Sequence, residues 1–164
     1  MADRTEIDLD EFRSVLGHFA TGVAVVTTLD ERGNKVGMTI SSFNSVSLDP
    51  PLVLWSVAED SQGYDAFITA EYFAVHVLAR HQKGLASRFA QSGGDKFEQF
   101  DCQEGIHGIP ILPEFAACFE CSAEHIYPGG DHKIIVGRVH RFEEREVDPL
   151  IVHRSRFLRK ESPS

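Results

Sequence analysis

The sequence predicts a mainly β protein, an antiparallel β-barrel with two or three flanking helices. Roughly six or seven stretches combine β-branched and aromatic residues over strand-like lengths, among them GVAVVTTLD (Gly22–Asp30), LVLWSVA (Leu52–Ala58) and HKIIVGRVHRFEE (His132–Glu144). Several strand pairs are joined by turns too short for the crossover that parallel winding requires. The helical stretches fall between strands as isolated, short amphipathic segments, which fits a barrel with helices packed on it.

The elements follow in chain order. In DLDEFRSVLGHFATG, Asp8 is placed to cap a helix whose face carries Phe12, Val15, Leu16 and Phe19, with Gly22 ending the pattern. GVAVVTTLD is a strand, and DERGNK after it is a hairpin turn in which Gly33 and Asn34 tolerate positive φ. KVGMTISSFNSVS returns as one second strand, which LDPP breaks because proline donates nothing to a ladder. LVLWSVA is a buried strand, SQGYDAFITA a short helix with Ser61 as its cap, and EYFAVHVLA a further strand. HQKGLASRFAQSGGD is helical with a stop at Gly93 and Gly94, and DCQEGIHGIPILPE is loop. FAACFECSAEHIYP, HKIIVGRVHRFEE and DPLIVHRSRF complete the strands.

These elements make one domain over residues 1–164, with its core from about residue 12 to about residue 157. MADRTEID and RKESPS at the ends are polar and aperiodic and read as frayed tails. The formal net charge of −9, from 25 acids against 16 Lys and Arg, opposes a nucleic-acid backbone as partner. A small phosphate ligand stays open, because a pocket's local field can oppose the global one. No stretch approaches the roughly 18 apolar residues of a membrane helix, and the acidic N-terminus has no signal-type core, so a cytoplasmic location is expected. Three cysteines, an odd number, fit a reducing compartment better than a disulfide framework.

Four places invite chemistry. Thr39, Ser41, Ser42, Asn44, Ser45 and Ser47 put small polar groups at close intervals along one predicted strand. They suit a phosphate or the polar edge of a heteroaromatic ring, or else a solvent-facing edge strand. Ser56 and the Glu59–Ser61 run precede a helix start that receives an anion or is merely capped; Arg88 is a cation for a phosphate or a solvated one. His132 follows Gly129, Gly130 and Asp131, so a freed turn presents a ring with a carboxylate partner beside it; an ordinary hairpin with a polar first residue is the plainer reading. Cys118 and Cys121 have C-x-x-C spacing, but on a strand residues three apart face opposite ways, so neither a zinc site nor a dithiol is expected. No Rossmann glycine fingerprint, Walker loop, nucleophile elbow or HExxH motif is present.

FATGVAVVTT, GMTISSFNSVSLDPPLVLWSV, SRFA, GGDHKIIVGRV and DPLIVHRSRF, in this order and spacing, resemble the short-chain flavin reductases, the reductase components of two-component flavin-dependent monooxygenases. The resemblance covers nearly the whole chain. It implies an FMN-binding split barrel with a Greek-key sheet, working as a homodimer with flavin near the subunit interface. It also implies hydride transfer from NADH or NADPH to FMN, or FAD, with reduced flavin passed to a separate oxygenase. Carried over, Thr39, Ile40, Ser41 and Ser42 line the isoalloxazine and ribityl chain, Ser56, Ser61, Arg88 and Phe89 lie toward the phosphate, and His132 sits beside the nicotinamide. Arg154 to Phe157 approach the same pocket, and Thr21 is a further candidate for the flavin face. Ile40 and Phe157 depart from the resemblance, replacing a smaller residue and a tyrosine. Two other readings share the barrel: a pyridoxamine-phosphate-oxidase-like flavoenzyme and a non-catalytic flavin or small-ligand binder.

Overall fold

A computed structural model describes residues 6–159; of the two polar tails, residues 1–5 and 160–164 lie outside the described residues. The elements run α1 (Leu9–Leu16), β1 (Thr21–Gly22), β2 (Ala24–Leu29), β3 (Lys35–Ile40), β4 (Asn44–Leu48), β5 (Pro51–Ala58), α2 (Tyr64–Thr69) and β6 (Tyr72–Val77). They continue with α3 (Lys83–Ala90), β7 (Gln103–Glu104), a 3-10 turn (Ile106–Gly108), β8 (Pro110–Ile111), β9 (Ala117–Gly129), β10 (His132–Glu144), β11 (Ile151–His153) and β12 (Arg156–Phe157). Every ladder is antiparallel, as the short turns required. The main sheet has seven strands in the order β3-β2-β6-β9-β10-β5-β4. Its two edge strands, β3 and β4, are consecutive in sequence and joined only by Ser41–Phe43, so the sheet curls toward closure without closing.

Side-chain parity explains the core. Along β5 the buried residues alternate as Val53, Trp55 and Val57, and Trp55 meets Phe67 of α2 and Phe73 of β6 edge to face, with ring centroids 5.0 and 5.9 Å away. This inner cluster includes Val26, Ile40, Cys121 and Ile135. A second cluster, with Val25, Leu78, Phe89, Leu112 and Leu150, fills the space under α3 and the C-terminal hairpin. β2 is buried on both faces because it lies between the two clusters. His76 lies wholly inside, its Nδ1 3.0 Å from the Val25 carbonyl, while the Leu112 N–H donates to Nε2 at 3.1 Å.

Several sequence expectations need correction. The stretch Lys35–Ser47 is two strands on opposite edges of the sheet, not one. Asp8 does cap α1, accepting from the Asp10 and Glu11 N–H groups, but the helix ends at Gly17 and Gly22 belongs to β1. Gly33 alone of the hairpin pair has positive φ; Asn34 instead bonds Asp30 through its backbone N–H and its side chain. Helix α2 starts after Gly63 with no side-chain cap, because the Ser61 hydroxyl donates to the Ala58 carbonyl at 2.8 Å. Helix α3 ends at Ala90, before Gly93 and Gly94, which take positive φ in the following turn. The expected loop over 101–114 holds the β7-β8 pair, and the last expected strand is a hairpin turning at Arg154 and Ser155. The apolar face of α1 is present and uncovered: Phe12, Val15 and Leu16 are each at least half exposed, as is Phe19, which lies beyond the helix end and not on its face as expected.

Candidate functional site

The site is built around two turns at one end of the sheet, the one after β5 and the one between β9 and β10. His132 opens β10 directly opposite Ala58, and Ile134 lies opposite Ser56. Residues opposite one another in an antiparallel ladder share a face, so His132 and Ser56 stand on the outer face of the sheet while Trp55 and Ile135 fill its inside. The two neighbouring turns are tied together where the Glu59 N–H donates to the Asp131 carbonyl at 3.0 Å, and Ser61 closes its turn onto Ala58. The imidazole Nδ1 of His132 is 2.6 Å from Asp131 Oδ1. The hydrogen bond from His132, then its charge, holds the Asp131 carboxyl below its ordinary range. A carboxylate can only accept, so Nδ1 carries the proton and Nε2 is left without a partner among the described residues.

The other side of the Ala58–Ser61 turn borders a cavity of about 700 Å³ between β3, the start of α2 and the end of α3. Thr39, Ser61 and Phe89 line it, together with Gln62, Lys35 and Lys96. That volume lies in the range of small-molecule and cofactor sites. Glycine at position 37 lets α3 approach β3, since a Cβ there would meet the Phe89 ring at 2.6 Å.

The candidate residues divide by what they touch. Thr39 donates its hydroxyl to the Ala86 carbonyl at 2.7 Å, fixing α3 over β3. Ile40 is buried in the inner cluster and does not line the cavity. Ser41 is exposed in the break between β3 and β4. Ser42 uses its one hydroxyl twice, accepting from the Ser56 N–H at 3.0 Å and donating to the Ser56 carbonyl at 3.2 Å, which clips that break to β5. Phe89 is almost wholly buried and forms the cavity floor with Phe97. Arg88 is not a free cation: it donates from Nε to the Lys96 carbonyl, from Nη1 to Gln99 and from Nη2 to the Asp95 carbonyl. Arg154 and Phe157 lie elsewhere, the first donating its N–H to Gly17 and the second packed in the outer cluster. The Thr21 hydroxyl is enclosed without a hydrogen-bond partner, but it does not line the cavity.

Cys118 and Cys121 fall in different clusters on opposite faces of β9, as strand parity requires, and burial pushes both thiols up to about 12. Among the described residues no group of His, Cys, Asp and Glu is placed to hold a metal ion. No helix among them is long and apolar enough to cross a membrane. Sequence reasoning missed Lys96, which follows a glycine turn with no periodic pattern to mark it.

Residues 16–160 match the model of the flavin reductase like domain family. The chain is 48% identical over 139 residues to the FMN reductase (NADH) SmoA of Agrobacterium fabrum, covering 85% of this chain and 79% of that protein. It is 41% identical over 152 residues to HsaB of Rhodococcus jostii, the reductase subunit of a flavin-dependent monooxygenase, covering 92% of this chain and 77% of that one. Its fold superposes with a TM-score of 0.88 on the NADH:FAD oxidoreductase SgcE6 of Streptomyces globisporus in complex with NAD and FAD fragments, at 36% identity over 94% of this chain and 93% of that one.

Proposed function

Since the chain belongs to the flavin reductase like family, we propose that it is an NAD(P)H:flavin oxidoreductase. It transfers hydride from a reduced nicotinamide to FMN or FAD and supplies reduced flavin to a separate monooxygenase. The observation that carries this reading is the shared turn Ala58–Ser61. One side of it walls a cavity of flavin size, and the other is tied to the turn that presents His132.

The flavin supplies the redox chemistry when bound; the chain's own work is position and electrostatics. Hydride transfer needs reacting atoms roughly 3–3.5 Å apart and aligned. Thr39, Ser61 and Phe89 line the cavity that takes the flavin, and the exposed Ser41 and the backbone of Ile40 lie at the strand break beside it. Ser42 and Ser56 act by holding that break in shape, since their polar groups are bonded to one another. His132 keeps its Nδ1 proton on Asp131 and offers Nε2 to the carboxamide of the nicotinamide. It is a positioning group, not an obligatory proton donor.

The working form is a homodimer in the cytoplasm. The uncovered apolar face of α1, with Phe12, Val15 and Leu16, and the exposed Phe19 just after it support burial against a second copy, and three free cysteines support a reducing compartment. The test is steady-state oxidation of NADH and of NADPH with FMN, FAD and riboflavin in parallel. Loss of reduced-nicotinamide absorbance on adding free flavin supports the reading. No oxidation with any of the three flavins sinks it.

A further inference from the structure

One wall of the cavity is held far less firmly than the others. The chain leaving α3 runs Gln91-Ser92-Gly93-Gly94 before Asp95, and Gln91, Ser92 and Gly94 line the cavity. All four residues of this strap are exposed. Gly93 and Gly94 take φ of +85° and +72°, a left-handed pair that glycine adopts without steric cost. A Cβ at either position would meet nothing within 4 Å, so no packing holds the strap in place there.

The two ends of the strap are fastened. The near end continues α3, with the Gln91 N–H donating to the Arg88 carbonyl at 3.3 Å. At the far end the Arg88 guanidinium donates to the Lys96 and Asp95 carbonyls and to Gln99, at 2.9, 3.1 and 3.2 Å. The same guanidinium lies 5.4 Å from the centre of the Phe100 ring, and the Asp95 carboxylate accepts from the Phe97 N–H at 2.9 Å. The middle has one tie. The Gly93 N–H donates to Gln62 Oε1 at 2.8 Å, and among the described residues no other hydrogen bond reaches Ser92, Gly93 or Gly94. Gln62 belongs to the opposite wall, in the turn before α2, so this bond joins two walls of the cavity. Hydrogen bonds from a charged group are roughly twice as strong as neutral ones. The neutral, exposed amide bond therefore opens first, and the glycine pair absorbs the backbone change while Arg88 keeps the far end still.

We propose that Gln91–Gly94 is a strap that gates the cavity, latched by Gln62 through the Gly93 N–H, and that opening of this latch sets how fast flavin enters and leaves. This role rests on the flavin reading above and concerns exchange rather than affinity. A reductase that hands its reduced product to a separate oxygenase must release it, and in many enzymes lid opening or product release limits turnover. A latch that closes alike with and without an occupant slows entry and exit by the same factor, so losing it changes both rates and preserves their ratio. Losing a direct contact to the flavin changes the ratio instead.

The experiment compares wild type, Gln62→Ala and Gln62→Glu, each shown by thermal melt to be folded. Stopped-flow flavin fluorescence gives association and dissociation rate constants for FMN and riboflavin, and hydrogen exchange read by NMR follows the Gly93 amide. Gln62→Ala should speed Gly93 exchange and both rate constants by about fivefold, the scale of one neutral hydrogen bond, with the dissociation constant of either flavin within about twofold. Gln62→Glu keeps an acceptor and should hold Gly93 exchange and the riboflavin rates near wild type, since riboflavin is neutral and the added charge does not steer it. A weaker dissociation constant carried by faster release alone makes Gln62 a flavin contact and overturns the gate. An effect confined to FMN marks a phosphate contact and overturns it too, as does Gly93 exchange that Gln62→Ala leaves unchanged. Faster Gly93 exchange with unaltered flavin rates ends the gate while the flavin reading stands. A wild type that binds neither flavin ends the flavin reading and the gate together.

Discussion

Lowering the pH should destabilise this fold through His76, by an amount the structure supplies. The ring is fully buried, with Nδ1 facing the Val25 carbonyl and Nε2 accepting from the Leu112 N–H. That pair of contacts fixes the neutral tautomer, with the proton on Nδ1. A second proton would put a positive charge in the core and point Nε2–H at another donor. Burial, partly offset by the Val25 bond, lowers the pKa from 6.5 to about 4. Below pH 6.5 the unfolded chain therefore binds a proton that the folded chain refuses, so stability falls as pH falls from 6.5 towards 4. A displacement of about 2.5 units at about 1.4 kcal/mol each is about 3 kcal/mol in full, of which about 2 kcal/mol is already lost by pH 5. Urea unfolding at pH 7, 6 and 5, at one protein concentration, should show wild type losing about 2 kcal/mol more than His76→Gln over that range. The variant retains an amide donor and acceptor but does not titrate. Parallel loss of stability in the two proteins would refute the reasoning.

Three further outcomes follow from the same structure. His132→Ala should raise the KM for NAD(P)H by about fivefold to tenfold, the worth of one hydrogen bond, with kcat within about twofold; a large fall in kcat at unchanged KM would make the ring a chemical participant. Gly137→Ala should destabilise the fold by about 1–3 kcal/mol, since its Cβ would meet Phe73 at 2.5 Å and Cys121 at 3.1 Å, and a thermal melt within a degree of wild type would contradict this. A disulfide thiol reagent should titrate at most Cys102 in the native protein and all three cysteines after denaturation, because Cys118 and Cys121 are buried; a fast second native thiol would contradict their placement.

Strands and turns were legible where the signal is local. The parity argument at Cys118 and Cys121 held because β9 is regular there, and the Gly129–Asp131 turn announced His132 by composition. The division of β3 from β4 was not read, although adjacent Ser41 and Ser42 break the alternation of a half-buried strand; only the curl of the sheet puts their neighbours on opposite edges. Ser61 looked like a cap because its spacing to α2 is close to correct, yet the β5 turn claims its hydroxyl. The hydrogen bonds of Arg88 were hidden for a related reason. An arginine on an amphipathic helix advertises itself, whereas the carbonyls it binds, and the direction in which they aim Lys96, appear only when the turn after Gly94 folds back. The burial of His76 likewise depends on Leu112, which lies 36 residues further along the chain.

The most direct test of the account is a crystal structure of the protein with oxidised flavin and nicotinamide bound together. The account predicts the isoalloxazine along the Ser41–Ser42 break and the nicotinamide stacked on it beside His132 Nε2. A flavin lodged away from both that break and His132 would contradict it.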